Sequence, residues 1–178
     1  MEEILFYERQ YFRQVWLWLI MAGLTALMAW GLISQIILDI PFGNNPGPDW
    51  MLFLSFGLVA ALDLLLLTLS LEFRVYKSSL EYRFFPFIGW KNIGWHQVDK
   101  VYVREYRPVA EYGGWGIRFQ PGRRSRALNV SGRIGLQIIY KDGSRLLIGT
   151  QRPHELEDIL VRTDSPYADI DWLGKMTH

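Results

Sequence analysis

The chain has 178 residues, half of them apolar and 15% aromatic, with eight tryptophans and a formal net charge of +1. That length holds one compact domain and a small membrane anchor but not two full globular domains, and so small a charge is unlike a nucleic-acid-binding protein. The absence of cysteine excludes disulfides, thiolate zinc sites and thiol nucleophiles.

Charge is unevenly spread. Residues 1–71 contain only Arg9 and Arg13 as bases, whereas the rest of the chain sets 17 Lys and Arg against 12 Asp and Glu. A basic balance of this size favours anionic lipid headgroups weakly.

Residues 1–14 read either as a short interfacial helix with Ile4, Leu5, Tyr7, Tyr11 and Phe12 on one face, or as a frayed cytoplasmic lead-in whose aromatics join the interfacial belt. Val15 to Leu38 is a predicted membrane span; its only clearly polar members are Thr25, Ser34 and Gln35. It exceeds the apolar core of a signal peptide and has no cleavage pattern after it, so it is expected to be retained. Asp39 to Asp49 carries three prolines and two glycines, turn chemistry that joins two spans as an antiparallel hairpin. The second span is predicted over residues 50–71, apolar on every face except for Asp63 and small hydroxyls. As a helix it rises about 33 Å, against a hydrocarbon thickness of about 30 Å.

The loop between the spans has no Lys or Arg, whereas Arg9 and Arg13 precede the hairpin and Arg74, Lys77 and Arg83 follow it. The positive-inside rule then places both termini in the cytoplasm. Ala22, Ala26 and Ala29 in the first span, with Gly57 and Ala61 in the second, mark where the helices are expected to touch.

After Leu71 the pattern changes to short alternating runs. Strands are predicted at 71–76, 80–85, 100–106, 116–119, 127–130, 136–140 and 145–149, with a tight turn at Asp142-Gly143. Pro153 to Arg162 reads as an amphipathic helix through Leu156, Ile159 and Leu160. The predicted domain is thus an antiparallel sheet structure over 72–162 closed by one helix, with residues 163–178 an unplaced tail.

Particular residues sharpen this outline: Leu80 to Arg83, Ile93-Gly94-Trp95 leading to Val98 and Val101, Tyr112-Gly113-Gly114-Trp115-Gly116-Ile117-Arg118, and Leu147 to Pro153 running into Glu155-Leu156. With these motifs the chain, from residue 15 to about 162, resembles the bacterial pleckstrin-homology-like (PH-like) domains carried on two-helix membrane anchors. The resemblance implies a membrane-anchored α+β protein with a partly open antiparallel barrel and a C-terminal capping helix. It also implies a multi-pass bacterial inner-membrane location and no shared enzymatic activity or cofactor.

Three sets of residues stand out as candidate sites. Asp63 lies about 12 Å from the end of its span, near the midplane, where a charge costs at least about 2.5 kcal/mol. It is either an internal hydrogen-bond partner of Thr25, a polar contact to another membrane subunit, or part of a proton or ion relay. Lys77, Arg83, Arg118, Arg123, Arg124, Arg126 and Arg133 form a candidate positive rim, either solvated, attracting headgroups nonspecifically, or binding one headgroup. Against a true headgroup site, Phe85 stands where lipid-binding PH domains carry the second Arg of their motif. Gly113, Gly114 and Gly116 precede a strand and lack nucleotide-loop spacing, so a bend or bulge is expected there. Asn129 begins a glycosylation sequon on the cytoplasmic side, and the three histidines lack metal-ligand spacing. The functional expectation is a non-enzymatic membrane protein that docks a membrane-protein partner, as an accessory or assembly subunit of a larger complex; the alternative is an anionic-headgroup sensor. Membrane lipid is an expected partner in both cases.

Overall fold

The computed structural model describes residues 2–120 and 124–167. It is an α+β chain that divides into two compact units, residues 12–68 and a sheet unit of residues 2–11 joined by the described residues from Leu69 onward. In chain order the elements are β1 (Phe6–Tyr11), α1 (Val15–Leu32) with a π-helical turn (Ile33–Ile37), α2 (Asp49–Thr68), β2 (Ser70–Val75), β3 (Ser79–Phe85) and β4 (Ile88–Gly94). There follow β5 (Val98–Glu105), α3 (Pro108–Tyr112), β6 (Gly116–Gln120), β7 (Ser125–Asn129), β8 (Ile134–Tyr140), β9 (Arg145–Gly149) and α4 (Pro153–Leu160).

In the helical unit, Val15–Ile37 and Asp49–Thr68 are by length and composition apolar enough to cross a membrane. Along α2 no residue is buried, and along α1 only Met21 and Gly31 are. Helices apolar on all faces yet uncovered by protein call for apolar surroundings. The Pro- and Gly-rich loop is fastened by Gln35, whose Nε2 donates to Gly47 O at 2.9 Å and Asp49 Oδ1 at 2.7 Å. Phe42 packs on Gly31, where an added Cβ would lie 3.1 Å from the ring. Gly57 does not mark a helix contact as expected: a Cβ there would meet nothing within 4 Å.

The second helix stops at Thr68, three residues short of its expected end, because Ser70 and Leu71 already belong to β2. Leu71, Phe73 and Val75 alternate with Glu72 and Arg74, and pairing with strands on both sides captures the end of the apolar run. The N-terminal segment is likewise corrected. Residues 6–11 form a strand rather than an interfacial helix or a frayed lead-in, with Phe6, Glu8 and Gln10 buried at period two. The sheet unit therefore begins before the helices, and residues 12–68 are an insertion between two hydrogen-bonded neighbours, Tyr11 pairing with Ser70.

Two sheets build this unit, a four-stranded meander β1-β2-β3-β4 and a five-stranded sheet in the order β5-β8-β9-β7-β6. The second is mixed rather than antiparallel, since β7 and β9 run parallel. Strand β4 went unrecognised because Gly89, Asn92 and Gly94 suppress the strand pattern on an exposed edge. Leu71, Phe73, Val75 and Leu80 face the core from the first sheet, and Val101, Val103, Leu136, Ile138 and Ile148 from the second, all at most 1% exposed. The other face of the second sheet carries a smaller cluster of Tyr106, Tyr112, Ala127 and Leu147. Leu156 and Leu160 of α4 are fully buried. The glycine cluster caps α3 and opens β6: Gly113 and Gly114 donate their N–H groups to Val109 O and Pro108 O at 2.9 Å with φ of 74° and 124°. Of the tail, residues 163–167 run beside the sheets, Asp164 N donating to Lys77 O and Val101 N to Pro166 O; residues 168–178 lie outside the described residues.

Candidate functional site

A cleft of about 540 Å³ opens in the sheet unit, lined in part by Tyr82, Phe119, Arg124, Arg126, Tyr140 and Arg145. Local structure sets its walls. The β8–β9 turn closes through Asp142, whose Oδ1 accepts from Ser144 N at 2.9 Å and Ser144 Oγ at 2.6 Å, and this holds Arg145 at the start of β9. Arg145 N donates to Arg124 O at 3.0 Å, and the parallel register pairs Ser125 with Arg145. Phe119 and Arg126 are register partners, with the guanidinium 5.2 Å from the ring centroid.

Burial raises the pKa of Tyr82, against an opposing pull from Arg126, and burial with the neighbouring Tyr82 raises that of Tyr140. Both phenols remain neutral hydrogen-bond donors at pH 7. Among the described residues Arg124, Arg126 and Arg145 form no ion pair. The cleft's acid, Asp142, is held below the ordinary carboxylate range mainly by the Ser144 hydroxyl and backbone N–H. By strand register Arg126 shares a face with Leu146, Ile138 and Tyr140, whereas Arg145, partner of Ser125 and Ile139, alternates to the other face. Arg124 and Arg126 with the two phenols make a receptor for carboxylates.

The predicted rim does not assemble in one place. Arg124 and Arg126 reach the cleft. Arg118, paired with Ala127, belongs to the opposite face of the sheet and donates Nε to Trp115 O at 3.0 Å. Arg133 is exposed just before β8, at the opposite end of the sheet from Arg145. Arg83 lies in the first sheet, 2.7 Å from Glu72. Lys77 is in the turn after β2, at the end of that sheet remote from Ser70. Arg123 lies outside the described residues. Arg145, Tyr82 and Tyr140 were missed because strand alternation alone does not say which sheet end gathers them.

Two buried carboxylates also escaped sequence reasoning. Glu8 accepts from Thr150 Oγ1 at 2.6 Å, Gln151 N at 2.7 Å and Gln10 Nε2 at 2.8 Å, tying β1 to the junction of β9 and α4. Burial raises its pKa, and these neutral donors only partly offset the effect. Glu72, on the other face of the strand pair, meets Arg83 at 2.7 Å and Arg9 at 3.1 Å. Burial would raise its pKa, but the hydrogen bonds from Arg83 and Tyr7 with both guanidinium charges lower it. Trp90 stands beside this group, with Arg74 and Arg83 at 4.2 Å and 4.8 Å from its ring. No sequence signal marks Glu8, since the residues buried at period two are Phe6, Glu8 and Gln10, of which only one is apolar.

In the helical unit Thr25 Oγ1 donates to Asp63 Oδ2 at 2.6 Å. Asp63 Oδ1 is buried without a hydrogen-bond partner. The pair lies in a groove with Trp18, Ala22, Ala26, Ala29 and Leu67. No chain of further polar groups lines that groove, so the geometry offers a hydrogen bond rather than a relay. Asn129 is fully buried and donates Nδ2 to Tyr106 Oη at 3.0 Å, so its sequon is closed to modification in the folded protein. Among the described residues no cluster of His, Asp and Glu could hold a metal ion.

No protein-family model matches the chain, and no curated protein matches it.

Proposed function

We propose that this is a non-catalytic bacterial inner-membrane protein whose cytoplasmic, PH-like sheet unit docks an acidic segment of a membrane-protein partner, as an accessory or assembly subunit. The arginine-lined cleft carries this reading. Its guanidiniums form no ion pair among the described residues, its phenols are neutral donors, and an extended acidic peptide supplies the missing charge. The scatter of Lys77, Arg83 and Arg133 over separate parts of the unit favours docking over recognition of one lipid headgroup.

Membrane anchoring draws support from the insertion of α1 and α2. Tyr11 and Ser70 are paired, so the inserted chain leaves and rejoins the sheet unit at neighbouring points. A segment that crosses a bilayer between such points crosses an even number of times, and two apolar helices meet that condition. The two-sheet unit closed by α4 supports the PH-like reading, with the parallel β7–β9 pair a departure from it.

The test uses the full chain in phosphatidylcholine nanodiscs, because a fragment starting at residue 72 would lack β1 and begin inside β2. Fluorescein-labelled hexaglutamate is titrated and its anisotropy followed. Arg124→Glu with Arg126→Glu is expected to weaken binding at least about tenfold, equivalent to about 1.4 kcal/mol, while Arg133→Glu has less than a twofold effect. No binding by the parent chain, or equal losses in both variants, overturns docking at the cleft.

A further inference from the structure

We propose that the tip of the β3–β4 hairpin, Phe85-Pro86-Phe87, is a third membrane contact, an aromatic foot set in the interfacial layer of the bilayer. The inference rests on the reading that residues 15–68 cross a membrane. Strand register supplies the geometry: Tyr11 pairs with Ser70 and Ser70 with Phe85. The hairpin tip therefore stands at the end of the first sheet from which the chain departs toward α1 and to which it returns from α2.

At this end the sheet exposes apolar rings to water. Phe85 is 45% exposed and Phe87 62%, while the adjacent strand residue Phe84 is 2% exposed and fills the core. The opposite end of the same sheet, about 20 Å away along six residues of strand, turns through Lys77 and Ser78, both exposed. One sheet thus has an aromatic end beside the chain exits and, remote from them, a charged, polar turn where Ser78 donates to Glu2 at 2.7 Å. Aromatic side chains gain most at the boundary between headgroups and acyl chains, and a bilayer reached at the exits of two spans is the apolar medium at that level. Arg9 and Arg83 lie further inward along the sheet, where both hold Glu72. The occupant is therefore the bilayer itself, with Phe85 and Phe87 limiting rotation of the sheet unit about its two connections.

The chain has no cysteine, so single spin labels can be placed on the full-length protein without background. Leu58→Cys, Phe87→Cys and Lys77→Cys are each labelled and reconstituted into phosphatidylcholine–phosphatidylglycerol vesicles. Collision rates with oxygen and with a water-soluble nickel chelate then give depth. Oxygen collisions are expected to exceed nickel collisions strongly at 58 and moderately at 87, with the reverse at 77. If 58 reads deep and 87 reads as aqueous as 77, the aromatic foot is overturned and the spans stand. If 58 itself reads aqueous, the spanning reading falls and the inference falls with it. Phe87 lies in an exposed turn, so its replacement leaves the core intact.

Discussion

Two acidic side chains, Glu8 in the sheet unit and Asp63 in the helical unit, are treated in opposite ways. Glu8 receives three hydrogen bonds from its own unit. Asp63 receives one, from Thr25, and keeps a buried oxygen without a partner. The difference extends to apolar surface: the sheet unit hides Leu71, Phe73 and Leu147 completely, whereas α2 buries none of its residues. One unit is completed by its own chain, and the other is left to be completed by its surroundings. On the proposed reading a bilayer covers the apolar faces of that unit, while it offers no donor to Asp63 Oδ1.

The sharpest way to break this comparison is to remove Glu8. Glu8→Ala takes the acceptor from Gln151 N and from the Thr150 hydroxyl, while Gln10 Nε2 keeps Gly149 O at 2.7 Å. The change is expected to cost about 3 kcal/mol, read as a lowered denaturation midpoint of the detergent-solubilised chain. A loss below about 0.5 kcal/mol would mean that β1 is not fastened through this carboxylate.

A pH series separates Glu8 from Glu72. The folded pKa of Glu8 is raised, so the stability it contributes is fully present below the ordinary carboxyl range and is lost as pH rises through the raised value. Glu72 is lowered, so its contribution is present above that range and is lost as pH falls through the lowered value. Glu8→Gln is expected to flatten the high-pH side of the stability profile and Glu72→Gln the low-pH side. Equal flattening by both variants would contradict the assignment of opposite environments.

The smallest effect belongs to Asp63→Asn. An amide keeps an acceptor for Thr25 and removes no packing atom, so the thermal midpoint is expected to shift by the equivalent of about 0.5 kcal/mol or less. A larger loss would show that the helical unit depends on this carboxyl as the sheet unit depends on Glu8.

Much of this organisation was legible in the chain. The apolar runs and the Pro-rich loop located both helices, alternating runs located β2, β3 and β5 to β9, and the spacing of Leu156 and Leu160 located α4. What failed has physical causes. Residues 1–14 were read at helical period because Ile4, Leu5, Tyr7, Tyr11 and Phe12 fit one face, while the pairing that makes 6–11 a strand comes from β2, about sixty residues further on. The apolar run ending at Leu71 hid the helix-to-strand change at Leu69, since both environments accept leucine. The arginines were grouped by sequence proximity, but a β-hairpin sends neighbours to opposite faces, as Arg118 and Arg126 demonstrate. Thr25 and Asp63 were matched by depth alone, because two antiparallel helices of similar length fix which residues share a level.

The most direct test of the account is labelling from one side of the membrane. Asn45→Cys in the loop between the helices and Lys77→Cys in the sheet unit are treated, in intact bacterial cells, with a maleimide that cannot cross lipid. The expected result is that the Asn45→Cys variant is labelled from outside and the Lys77→Cys variant only after the membrane is opened. Labelling of both variants from the same side would contradict a helical pair that carries the chain across the bilayer and back.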